Sequence, residues 1–129
     1  MKSTQSNTTY GPYSPLREAD SYVYISGQVG VDPETKIAKV DVGSQTKQVM
    51  ENIVEVLADA NLTLKDVIKT TIYVRNMTDF TEINDIYGSF FTNPYPARAC
   101  VEVSKLPRVG GNNELLIEIE AVAHRGKTS

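Results

Sequence analysis

The chain has one cysteine, one histidine and no apolar run long enough to cross a bilayer. Each scarcity excludes a class of chemistry. Cys100, being alone, excludes an internal disulfide and fits a reducing compartment, so a cytoplasmic location is expected. His124, being alone, argues against a zinc site and against a Ser/His or Cys/His nucleophile pair, so no metal is expected. Residues 1–9 are polar and lack the apolar core of a secretion signal; they are expected to be mobile, and no export is expected. A net charge of -3 weighs against broad nucleic-acid binding. At 129 residues the chain suits one domain with one core.

What is present is periodic. Tyr22–Ser26 alternates and is aromatic and β-branched, so it predicts a strand, which Gly27-Gln28-Val29-Gly30 then bends or bulges. Asp32–Thr35 reads as a turn, and Ile37–Val40 as a short return strand. Asp41–Asn61 predicts a helix capped by Ser44, with Val49, Ile53, Val56, Leu57 and Ala60 on one stripe and Asn61 as its stop. Thr63–Asp66 is a turn. Val67–Val74 predicts a strand with Ile68, Ile72 and Val74 on one face and Lys69, Thr71 and Tyr73 on the other. A second helix is expected from a Thr78 cap to about Thr92, with Phe80, Ile83, Tyr87, Phe90 and Phe91 buried and Asn84 at the edge of that stripe. After a loop over Lys105–Glu114, Leu115–Ala123 predicts the last strand, and a polar tail ends the chain.

Pro96-Ala97-Arg98-Ala99-Cys100-Val101-Glu102-Val103 is the most informative stretch. Pro96 favours extended geometry before it, and the alternation sets Arg98, Cys100 and Glu102 on one face and Ala99, Val101 and Val103 on the other. An arginine at a strand mouth suits a carboxylate, because guanidinium offers a planar fork of donors. A surface salt bridge accounts for it equally well. Tyr13, between Pro12 and Pro15, is either an ordinary surface aromatic or a ring held at the lip of a site.

Two amphipathic helices need a sheet to cover. The sheet face away from them is expected to carry Tyr22, Tyr24, Ser26, Lys69, Thr71, Tyr73, Arg98, Cys100, Glu102, Glu118 and Glu120. This mixture is too aromatic for a solvent face and too charged for a core. It suggests packing against copies of the same chain.

Three motifs now fall in order: Gly11-Pro12-Tyr13-Ser14, Ser26-Gly27-Gln28-Val29-Gly30, and Pro96–Val103 leading to Leu106-Pro107 and Ile117-Glu118-Ile119-Glu120-Ala121. The Asn52 region, Ile72-Tyr73-Val74 and Asp79-Phe80 through Asn84 fit as well. Together they resemble the RidA (YjgF) family of imine deaminases, over nearly the whole stretch from Gly11 to Ala123. The resemblance implies an α+β, chorismate-mutase-like fold: one mixed sheet with two helices on one face, assembled as a homotrimer around a central barrel, with sites between subunits. It implies hydrolysis of reactive 2-enamines and 2-imines to 2-keto acids and ammonia, without metal or organic cofactor.

By the same resemblance Arg98 grips the substrate carboxylate and Glu118 positions or activates water. Cys100 contributes backbone groups, Tyr13 the lip, Ser26 and Gly27 the floor, and Asn84 a neighbouring helix position. Two features depart from the family pattern: Pro15 stands where many members have glutamine, and the loop between Pro107 and Glu118 is longer than usual. Both bear on substrate range. The alternative is a non-catalytic trimer that binds small metabolites or acts as a chaperone. Ribonuclease action or translation inhibition, a label some relatives carry, fits the acidic balance less well.

Overall fold

The computed structural model describes residues 9–126. The polar N-terminal stretch expected to be mobile lies outside them except for Thr9, and so does most of the tail. Five strands form one sheet: β1 (Leu16–Ala19), β2 (Tyr22–Val29), β3 (Val67–Val74), β4 (Ala97–Glu102) and β5 (Ile117–His124), in the order β1-β2-β5-β3-β4. Every pairing is antiparallel except β3 with β4, which are parallel and joined through a helical crossover. The sheet is therefore mixed, and the fold is α+β as expected. No helix among the described residues is long and apolar enough to cross a membrane.

Helix α1 (Val42–Asp59) covers the sheet through Val49, Met50, Ile53, Val56 and Leu57, all buried against the inward residues of β2, β3 and β5. Its cap is Asp41 rather than Ser44. The Asp41 carboxylate accepts from the Ser44 amide at 2.8 Å, and Ser44 answers from the third helical position as the other half of a capping box. Asn61, at φ +60°, turns the chain out of the helix in the left-handed conformation that asparagine tolerates. Helix α2 (Phe80–Ser89) buries Ile83 and Tyr87 in the same core. Thr78 does not cap it. A 3-10 turn at Met77–Asp79 precedes it, and Thr78 instead donates to the Asn76 side chain, which caps that turn.

One strand was not foreseen: Leu16–Ala19 pairs with β2 although it carries no strand-like alternation. Two other expectations change. Ile37–Val40 is reduced to one bridge, Val31 with Ala38. In β3 a register shift between Val67 and Lys69 puts Val67 into the core and leaves Ile68 only partly buried.

The largest correction concerns β4. In the parallel pairing, Arg98, Cys100 and Glu102 lie beside Thr70, Ile72 and Val74, all buried on the helix-covered side. Arg98, Cys100 and Glu102 thus share the helix face, and Ala99 and Val101 share the open face with Tyr73, Glu118 and Glu120. Cys100 packs on the main core, and the Glu102 carboxylate accepts from the Met77 amide at 2.8 Å.

A second, smaller apolar cluster holds Val29, Val31, Ala38 and Leu115, with Leu106 and Val109 packed on it. Two buried amides of α1 fasten this end of the sheet. Gln45 donates to the carbonyls of Lys39 and Glu114 and accepts from the Leu116 amide. Asn52 donates to the carbonyls of Val29 and Val31 and accepts from Gln48. Such groups are tolerated inside because every polar atom has a partner. They fix the end of β2 and the start of β5, where the expected site residues lie.

Candidate functional site

A cavity of about 440 Å³ opens at that end, on the open face of the sheet. Tyr10, Tyr13, Ser26, Gly27, Val29, Pro107, Val109, Glu118 and Glu120 line it. Its geometry is set by two neighbouring strands: Val29 of β2 pairs with Glu118 of β5. The Glu118 carboxylate lies directly over Gly27. A Cβ at Gly27 would come within 2.0 Å of Glu118 Oε2 and 2.8 Å of Cδ. The glycine is thus required by the close approach of the acid, since its own backbone lies outside the left-handed region.

Burial pushes the Glu118 carboxyl above its ordinary value, and the nearby Glu120 carboxylate adds to the rise. Across the pair on β3, Tyr73 is pushed up by burial and then by the same two acids. Ser26 holds the lip in place. Its hydroxyl donates to the Ser14 carbonyl at 2.6 Å and its amide to the Pro15 carbonyl at 3.0 Å, tying the Gly11–Pro15 loop to β2. Tyr13 Oη accepts from the Tyr10 amide at 3.3 Å.

Arg98 is elsewhere. On the helix side of β4, its Nη1 donates to Asn84 Oδ1 at 2.7 Å. The guanidinium lies 5.2 Å from the Tyr87 ring centre and 5.5 Å from that of Phe80, within cation–π range. Tyr87 is itself locked by a 2.7 Å hydrogen bond to Thr70 inside the core. The arginine remains exposed above this seat. Burial raises the Cys100 thiol above its ordinary value, and the opposing effect of Arg98 is smaller.

The structure therefore divides the expected site residues into two groups. Tyr13, Ser26, Gly27 and Glu118 meet in one cavity; Asn84, Arg98 and Cys100 meet on the other sheet face. Sequence reasoning missed Tyr10, Val29, Glu120, Pro107 and Val109 as cavity walls, and Phe80 and Tyr87 as the seat of Arg98. Glu120 had a signal, since it alternates with Glu118; Val109 had none beyond the unusual loop. No group of three His, Cys, Asp or Glu side chains able to hold a metal occurs among the described residues.

Fold and site together define a small α+β domain with an acid-bearing cavity on one sheet face and an aromatic-seated arginine on the other. Residues 4–125 match the model of the family described as endoribonuclease L-PSP, and the chain belongs to that family, which includes the RidA proteins. A RutC family protein of Pyrococcus horikoshii is 45% identical over 116 residues, covering 89% of this chain and 88% of that protein. The 2-iminobutanoate/2-iminopropanoate deaminase of Salmonella typhimurium is 41% identical over 118 residues, covering 89% and 88%. The crystal structure of RidA from the Antarctic bacterium Psychrobacter superposes with a TM-score of 0.88 at 33% identity, covering 95% of this chain and 96% of that one.

Proposed function

We propose that this protein hydrolyses reactive 2-imino acids and their enamine tautomers to 2-keto acids and ammonia. The observation that carries the proposal is the Glu118 carboxylate, half-buried, raised in pKa and pressed onto Gly27 at the floor of a small-molecule cavity. A binder of carboxylates gains nothing from an acid in that place, whereas hydrolysis needs a proton carrier tuned towards neutrality. The name of the Salmonella relative points the same way.

The chemistry is short. A protonated imine is already electrophilic at C2. Glu118 takes a proton from water as the water oxygen bonds to C2 and the C=N pair moves to nitrogen. The same carboxyl then protonates the nitrogen, the C–N bond breaks to release ammonia, and the Glu118 carboxylate takes the hydroxyl proton as the keto group forms. Arg98 holds the substrate carboxylate through charge-assisted hydrogen bonds, with Asn84, Phe80 and Tyr87 fixing its head. Cys100, its thiol raised by burial and packed on the core, serves through its backbone groups and not as the nucleophile.

Arg98 and Glu118 leave opposite faces of the sheet, so a site using both draws them from two copies of the chain. A homotrimer with its clefts between subunits meets that requirement. The open face, with Tyr22, Tyr24 and Val101 exposed, supplies an apolar surface for such packing. The test is an assay in which an amino-acid oxidase generates the imine and keto-acid formation is followed. Wild type should accelerate it, and Arg98→Ala and Glu118→Gln should each lower kcat/KM by at least about 100-fold with the fold intact. No acceleration across several imines would refute the reaction.

A further inference from the structure

The loop between β4 and β5 is longer than the resemblance requires, and the structure gives its extra residues a place. The Gly110 carbonyl accepts from the Ala38 amide at 2.7 Å, and Asn113 Nδ2 donates to the Ala38 carbonyl at 2.9 Å. Both backbone groups of one buried residue are thereby used to hold the loop. Gly110, at φ +85°, approaches so closely that a Cβ there would meet Val31 Cγ2 at 2.6 Å. Gln45 fixes the Glu114 carbonyl at 2.8 Å, and Arg75 pairs with Glu114. The loop is a built wall, and Val109 projects from it both into the second apolar cluster and onto the cavity.

The lining of the cavity is of two chemical kinds: the carboxylates Glu118 and Glu120, and the apolar side chains Val29, Pro107 and Val109. A 2-imino acid has three groups on C2: a carboxylate, the nitrogen that must face the proton carrier, and a side chain. The two acids repel both the carboxylate and any anionic side chain. An aliphatic side chain is left facing the apolar wall. At about 440 Å³ the cavity lies among ordinary ligand pockets and exceeds what a three-carbon acid fills.

We infer that Val109 is a specificity-determining residue, and that the clamped loop selects 2-imino acids with aliphatic side chains longer than methyl. The inference rests on the deaminase reading, so its test has a readout independent of turnover. The ratio of kcat/KM for leucine-derived over alanine-derived imine is measured in wild type, Val109→Ala and Val109→Phe. The dissociation constants of 4-methyl-2-oxopentanoate and pyruvate are measured on the same three proteins.

Val109→Phe should lower the leucine/alanine ratio about tenfold, the effect of a misfit of about one methylene in an apolar pocket. Val109→Ala, which keeps the fold if phenylalanine does not, should shift the ratio in the opposite direction. The ratio of keto-acid affinities should follow both. If no imine is turned over but the affinity ratio still follows the size of residue 109, the deaminase reading fails and the wall stands. If turnover is intact and neither ratio moves beyond twofold, the wall is refuted. Failure of 4-methyl-2-oxopentanoate to bind also refutes it.

Discussion

Gly27→Ala separates the position of the Glu118 carboxylate from its presence. The new Cβ would start 2.0 Å from Glu118 Oε2, and ordinary contact begins near 3.4 Å, so the carboxylate must retreat by about 1.4 Å. The atom it meets is the end of a rotatable side chain, and the Gly27 backbone is open to alanine. A compatible Gly→Ala change stabilises by about 0.4–1 kcal/mol, and an off-rotamer glutamate costs about 0.5–1.5 kcal/mol. Folding stability should therefore change by less than about 1 kcal/mol.

Catalysis should suffer far more. A misplacement of about 1 Å costs on the order of 100-fold, and the whole acid–base contribution is about 10²–10⁴-fold. A kcat some 100-fold below wild type is expected in the oxidase-coupled assay, with urea-denaturation stability within about 1 kcal/mol of wild type. The double variant Gly27→Ala/Glu118→Gln should be no slower than Glu118→Gln alone, because both act through one carboxylate. Two outcomes would refute the reasoning: more than half of wild-type kcat retained by Gly27→Ala, or losses that add in the double variant.

Glu120→Gln should move the acid limb of the pH–kcat/KM profile to lower pH. It removes one of the two causes that raise Glu118, and because burial is the larger, the limb should stop short of the ordinary carboxylate range; an unmoved or upward-shifted limb would count against Glu118 as the base. The sign for stability follows from the same direction. The contribution of protonated Glu118 to folding is fully present below its unfolded pKa and is lost as pH rises through the raised folded value. Gln45→Leu removes the partner of two buried carbonyls and one amide, and should cost about 3 kcal/mol in urea denaturation, a loss below about 1 kcal/mol being incompatible with the bridge described.

Much of this was legible in the residues. The α1 stripe is long and periodic, so Val49, Ile53, Val56 and Leu57 identify themselves, and β2 and β5 alternate cleanly. Strand β4 alternates too, but alternation only says which residues share a face. It does not say which face the helices cover. Ala99 and Val101 look like the inward set because they are apolar. Tertiary structure reverses the choice: β4 is an edge strand, and its polar residues find partners on α2 and the turn before it, Arg98 at Asn84 and Glu102 at Met77. Strand β1 was invisible because Leu-Arg-Glu-Ala has no strand preference of its own and is made extended by its ladder with β2. Ile68 was misassigned because a bulge leaves no mark in a run of β-branched residues. The motif residues around Gly27 and Glu118 were legible by resemblance; that one lies on top of the other could be read only from coordinates.

The back-to-back placement of Arg98 and Glu118 gives the proposed ring a sense of direction. Each chain would lend its arginine to one neighbour and receive an arginine from the other, a head-to-tail relation that closes only because the rotation does. A subunit defective at Arg98 would then silence the cleft on one side of itself, and a subunit defective at Glu118 the cleft on the other. Within one mixed assembly the two lesions would not be equivalent, although either alone, present in every chain, would impair the same reaction.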